Sequence, residues 1–144
     1  MASSNIDRFD EYAGLIFARL YARFPMRVQL DDDEVIPGAW RDGEFHLEAY
    51  ESEAEFVTAT IHWLKDAGYI DGRPSSCGLF DAVLTSKGLE VLKATPASLE
   101  NGPSLGERIT DAAKEEGRET MRSLVSEVLG IGARLISPMF GLSS

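Results

Sequence analysis

The chain has a single cysteine, Cys77, among its 144 residues. No intrachain disulfide can form, and the composition points to a reducing compartment. Histidine is almost as scarce. His46 and His62 are far from each other and from Cys77, so no ligand-pair spacing for a metal exists. The Asp31-Asp32-Asp33 run lacks the spaced oxygens and the glycine of a calcium loop, and reads as a helix N-terminus on a solvated face. No histidine lies near Cys77 in sequence to activate it, so it reads as a plain thiol. A glycine-rich phosphate loop is also missing. Gly130-Ile131-Gly132 sits inside a helical pattern with no strand before it, where small residues permit close helix approach. No pair of carboxylates is marked for acid–base work. These absences predict a protein that is not an enzyme and that needs no cofactor and no metal.

Long apolar runs are missing too. A membrane span needs about 20 apolar residues. The most apolar stretch, Met121 to Leu142, is interrupted by Glu127, Arg134 and Pro138. The start, Met1 to Asp7, has no basic and apolar run of the signal-peptide kind. The expectation is a cytoplasmic protein without a transmembrane span.

Positive charge is the last shortage. Fourteen Lys and Arg face 24 Asp and Glu, for a net charge of -10. Between Gln29 and Thr58 stand ten acids against one base, Arg41, so that segment alone carries -9. The acidity is local, and the remainder of the chain is close to neutral.

What is present is a helical pattern broken by a small amount of strand. Phe9 to Phe24 has an amphipathic period with Asp7 as its cap, and Pro25 ends it. Met26 to Leu30 alternates as a short strand. Asp31 to Glu34 looks like a helix start, which Pro37-Gly38 keeps short. Trp40 to Tyr50 contains an Asp42-Gly43 turn and suits a hairpin; Trp40 itself reads either as core or as an exposed contact. In Ala54–Ala67, Phe56, Thr60, Trp63, Leu64 and Ala67 recur at helical spacing, with Trp63 read as core. Gly68 stops that helix. Leu79–Leu84 reads as a strand with Phe80, Ala82 and Leu84 on one side, paired with a strand near Tyr69. Thr85 or Ser86 then caps a helix. Trp63, Phe80, Leu84 and Leu89 are expected to be buried together.

Helix, glycine stop, loose hairpin and a new helix resemble the second half of a winged helix-turn-helix domain. The matching residues are Leu64, Gly68, Tyr69 and Ile70, then Leu84, Thr85, Gly88 and Leu92, as in the "Gly-Tyr-Ile … Leu-Thr-x-x-Gly" pattern of MarR-like and PadR-like families. The resemblance covers roughly a quarter of the chain. It implies an α+β, mostly helical fold: a winged-helix-like core over residues 1–95 with a small β-hairpin. A winged helix would place its second helix within 31–53, where the pattern here favours a hairpin.

Residues 96–103 read as a linker. Ser104 and Glu107 form a capping box for a long C-terminal helix over 104–137, kinked or broken at Gly117 and stopped by Ser137-Pro138, leaving 138–144 as a tail. Its Met121, Leu124, Val128, Ile131 and Leu135 repeat at alternating spacings of three and four, like a coiled-coil seam, with Gly132 allowing close approach. That pattern predicts a homodimer.

Two functions compete. The first is a protein-binding module whose acidic face, Asp31, Asp32, Asp33, Glu34, Glu48, Glu51, Glu53 and Glu55, meets a basic protein partner. An adaptor or an immunity- or antitoxin-like inhibitor has this character. The alternative is a dimeric DNA-binding transcriptional regulator, with Arg19, Arg23, Arg27 and Lys87 as its basic patch. DNA binding draws most of its affinity from cations meeting phosphates, and the expected recognition helix carries only Lys65, so nucleic acid is disfavoured.

Overall fold

A computed structural model describes residues 4–95, 102–115 and 117–143, with side chains as far as 135. The chain is α+β. The first helix, α1 (Asn5–Arg23), starts about one turn earlier than its apolar period suggests, because Ser4 takes the capping role expected of Asp7. The Ser4 Oγ accepts from the Asp7 amide at 3.1 Å. Strand β1 (Val28–Asp31) leads into a single turn of helix, α2 (Asp32–Val35). A two-residue hairpin follows, β2 (Trp40–Arg41) and β3 (Glu44–Phe45). Asp42 and Gly43 both have positive φ, 52° and 79°, as the tight hairpin turn with two left-handed residues requires.

Helix α3 (Leu47–Asp66) runs a further two turns upstream of Ala54. It ends at Gly68, whose φ of +88° is the left-handed conformation that closes a helix. Strands β4 (Ile70–Ser75) and β5 (Gly78–Leu84) pair antiparallel, and β1 adds to the far side of β5, giving the order β1-β5-β4. Thr85 caps α4 (Ser86–Lys93), its Oγ1 accepting from the Gly88 amide at 3.0 Å. Helix α5 (Leu105–Glu115) starts on the capping box, with Ser104 Oγ 3.2 Å from the Glu107 amide. The break falls at Gly117, and α6 (Arg118–Ser143) follows. Most of the expected linker, residues 96–101, lies outside the described residues.

Four expectations need correction. Phe80 is exposed rather than buried. Between the pairs Asp71↔Val83 and Arg73↔Phe80, β5 contains one extra residue. The bulge, with Asp81 at φ +53°, shifts the alternation so that Leu79, Ala82 and Leu84 face the core instead. Trp63 is also outside, 50% exposed. The inner stripe of α3 is Val57, Thr60, Ile61 and Leu64, and Trp63 lies on its edge, stacked edge-on against Phe9 at 5.2 Å. The helical backbone of α6 passes through Pro138 rather than stopping before Ser137; a proline inside a helix removes one hydrogen bond and crowds the carbonyl four residues back, a local cost that a long helix tolerates.

The fourth correction concerns the C-terminal seam. Met121, Leu124, Val125 and Val128 are buried in the chain's own core together with Ile16, Phe17 and Leu20. Helix α6 packs on α1, α4 and α5. A Cβ on Gly14 would overlap Met121, and one on Gly132 would overlap the Tyr69 ring, so the small residues serve contacts within one chain. Ile131 is half-buried and Leu135 is 42% exposed. The apolar period of this helix is answered by intrachain packing, and 105–128 is part of the core rather than an appendage to it.

Candidate functional site

The eight acids expected on one partner-facing surface divide into two groups. Five are engaged internally. Asp31 accepts from Gln29 Nε2 at 2.9 Å and from the Cys77 thiol at 3.4 Å. Asp32 is buried at 3% exposure. Its Oδ2 accepts from Thr58 Oγ1 at 2.8 Å and from the Tyr50 hydroxyl at 3.2 Å. Asp33 accepts from Trp40 Nε1 at 2.9 Å. Glu34 receives the Asp31 amide at 3.2 Å and pairs with Arg19. Glu53 accepts from Arg8 at 3.0 Å through both oxygens, and from the Tyr12 hydroxyl at 2.6 Å.

These internal bonds leave their mark on the partner hydroxyls and thiol. Burial pushes the Tyr50 hydroxyl up to about 12, helped by its bond to Asp32. Burial, and then the bond to Glu53, raises Tyr12 as well. The Cys77 thiol is raised by burial and by the Asp31 carboxylate beside it. A raised thiol is a poor nucleophile at neutral pH, consistent with the plain thiol expected.

The second group is exposed. Glu48, Glu51 and Glu55 lie on α3 and have no hydrogen-bond or ion-pair partner among the described residues. Spacings of three and four put them on one outer stripe that continues through Ala59, Trp63 and Asp66, all exposed. From Glu48 to Asp66 the stripe is roughly 27 Å long at 1.5 Å per residue. It contains no Lys or Arg. The only cation on α3 is Lys65, which is half-buried on another side.

Beside the N-terminal end of this stripe is an aromatic cluster that sequence reasoning left open. Trp40 and Phe45 are direct cross-strand partners, with ring centroids 5.2 Å apart. Phe45 also meets Tyr50 at 5.3 Å. Trp40 is 51% exposed, Phe45 41% and Leu47 55%. Asp42 and Glu44 are exposed on the same hairpin. The signal was available: two residues on either side of an Asp-Gly turn, Trp40 and Phe45 must face each other once the turn closes. A two-strand hairpin is too small to bury both rings.

The bases expected to form a DNA-binding patch are mostly engaged. Arg19 pairs with Glu34. Arg27 donates to the Asp81 carbonyl at 3.0 Å and lies 3.9 Å from Asp71. Lys87 donates to the Ala67 carbonyl at 3.0 Å, over the Tyr69 ring. On the β4–β5 hairpin, Arg73 pairs with Asp81 at 2.9 Å. His62 Nε2 donates to the Gly78 carbonyl at 3.0 Å and ties α3 to β5.

Among the described residues no group of three or more His, Cys, Asp or Glu side chains is arranged to hold a metal ion, and no helix is long and apolar enough to cross a membrane. A separate cleft of about 500 Å³ lies between α1, the α2–β2 loop, α3 and the α5–α6 junction. Arg8, Glu11, Tyr12, Glu53 and Arg118 form its polar part. Comparison of the chain with protein-family models, with curated proteins and with solved structures finds no match.

Proposed function

We propose that this protein is a non-enzymatic binding module that offers an acidic, aromatic face to a basic protein partner, on a winged-helix-like scaffold. The scaffold reading is supported by the order α1, β1, α2, α3, β4, β5, with the β2–β3 hairpin inserted between α2 and α3, and by the position of β1 beside β5. In a winged helix, α3 would be the recognition helix and β4–β5 the wing.

One observation supports the choice of partner. The outer stripe of α3 carries Glu48, Glu51, Glu55 and Asp66 with the exposed ring of Trp63, and no cation. Duplex DNA would meet carboxylates where its phosphates need Lys and Arg. A basic protein meets complementary charge, which speeds encounter and fixes orientation. Exposed aromatic side chains beside that charge are the residue type that most often anchors protein interfaces. An inhibitor of a basic toxin and an adaptor in a larger assembly both fit this chemistry. Met121, Leu124 and Val128 of the α6 seam are internal, and the reading requires no homodimer.

The test is capture from the native host with the tagged full chain, followed by the same capture with Glu48→Gln, Glu51→Gln and Glu55→Gln combined. A basic protein retained by the wild type and lost from the triple variant supports the reading. Recovery of nucleic acid without protein, or a saturable, salt-sensitive gel shift on DNA fragments, would favour the alternative, a winged-helix DNA-binding regulator acting as a dimer.

A further inference from the structure

The cleft opposite the outer stripe of α3 has a feature that packing does not account for. Its two carboxylates are held very differently. Glu53 is saturated by Arg8 and Tyr12, as described above. Glu11 has one polar contact among the described residues, an ion pair to Arg118 that is long at 3.7 Å. The Glu11 side chain is only 19% exposed, whereas that of Arg118 is 78% exposed. A carboxylate covered to this extent normally carries short hydrogen bonds. This one is matched by a solvated arginine at the first residue of α6, next to the Gly117 break.

Around Glu11 the cleft is apolar, with Leu15, Ile36, Ala49, Ala112 and Met121 on its walls. About 500 Å³ is within the range of small-molecule sites, which combine apolar walls with a few orienting polar groups. Within it, Glu11 is the carboxylate with hydrogen-bonding capacity left over among the described residues. A primary ammonium donates three hydrogen bonds and can approach a carboxylate more closely than Arg118 does here.

We infer that this cleft is a binding site for a small organic amine with an apolar body, whose ammonium group pairs with Glu11 and displaces Arg118 into solvent. The apolar body rests on Leu15, Ile36 and Met121. Arg118 acts as the resident counter-ion of Glu11. The inference is independent of the protein-binding reading, because no residue of the exposed α3 stripe lines the cleft.

Three probes that share one apolar body separate the chemistry: 4-phenylbutylamine, 4-phenylbutyrate and 4-phenylbutanol. Each is titrated into the full-length protein and followed through backbone amide shifts. The amine is expected to produce saturable shifts at Gly38, Ala112 and Gly117, with a dissociation constant on the order of 1 mM for so small a ligand. The alcohol and the acid bind more weakly, by roughly fivefold or more. Glu11→Gln, nearly isosteric, removes the amine's advantage over the alcohol. Arg118→Ala, which trims an exposed polar side chain of the lining and leaves the apolar walls in place, tightens the amine a few-fold by removing its competitor. Equal or tighter binding of the acid would overturn the inference. So would amine binding unaffected by Glu11→Gln, weaker amine binding in Arg118→Ala, or no saturable shift at these three residues.

Discussion

A chain that stops after Gly117 tests how α6 is used. The cut removes Met121, Leu124, Val125 and Val128, which are 3%, 9%, 0% and 0% exposed. Burying one such side chain stabilises by about 1.5–3 kcal/mol, so the four together contribute about 6–12 kcal/mol before ordering entropy is counted. Domains of this kind are stable by about 5–15 kcal/mol in all. The shortened chain is therefore expected to lose its cooperative urea transition and bind a hydrophobic dye. A gentler companion is Leu124→Ala in the full chain. Large-to-small substitutions in cores cost about 2–5 kcal/mol, and the slight exposure of Leu124 points to the lower end. With a urea slope of about 1–3 kcal/mol per molar, the midpoint falls by roughly 1 M. Because the seam packs within one chain, the melting temperature of the full chain is independent of protein concentration. A shortened chain with an undiminished cooperative transition, or a melting temperature that climbs with concentration, would refute the intrachain packing of α6.

Three further outcomes separate the acids by environment. The triple replacement of Glu48, Glu51 and Glu55 by Gln is expected to change stability by less than about 0.5 kcal/mol per site, while slowing association with a basic partner in stopped-flow mixing and flattening its salt dependence. Asp32→Ala, by contrast, strands the hydroxyls of Thr58 and Tyr50 and is expected to cost about 1–3 kcal/mol by urea denaturation; a cost no larger than that of the exposed sites would sink the account of Asp32 as a buried acceptor. Asp10 is 7% exposed, and burial first, then Asp7, raises its carboxyl above the ordinary 3.8. A carboxyl with a raised folded-state value favours folding while protonated, and that contribution is lost as pH rises through the folded value. Asp10→Asn is therefore expected to raise the melting temperature at pH 7 and to lose that advantage below about pH 4; an equal gain at both values would contradict it.

Local chemistry made most of the elements legible. Gly68 and Thr85 announce a stop and a start through conformational and hydrogen-bonding properties that do not depend on the rest of the fold. Asp42-Gly43 does the same for the hairpin, and Ser104 with Glu107 for α5. What was not legible depends on tertiary geometry. The bulge at Asp81 moves Phe80 outward because β5 has an extra residue relative to β4, and no alternation pattern within β5 contains that information. Trp63 was expected inside because it falls in an apolar period. Yet α3 has more apolar residues than one face can bury, and the narrower stripe of Val57, Ile61 and Leu64 took the core. The seam of α6 shows the same limit. A spacing of three and four states that a face is covered and is silent on whether the cover belongs to the same chain.

The acids show why charge counted along a sequence is a weak guide to a surface. A segment of net -9 suggested one continuous face, but Asp32 and Glu53 are turned toward Thr58, Tyr50, Arg8 and Tyr12, where they organise the junction of α1, α2 and α3. What distinguishes Glu48, Glu51 and Glu55 is their phase on a helix that starts two turns before its apolar period suggests. Once α3 begins at Leu47, their spacing alone separates them from Glu53, and it brings Ala59, Trp63 and Asp66 onto the same line. The two halves of the acidic segment then have different physical roles. The inward carboxylates stabilise the fold through hydrogen bonds made within the chain. The outward ones add little to stability, and this solvated carboxylate row beside exposed Trp and Phe rings has no hydrogen-bond or ion-pair partner among the described residues. Selective neutralisation of the outward row is therefore the perturbation that separates binding from folding.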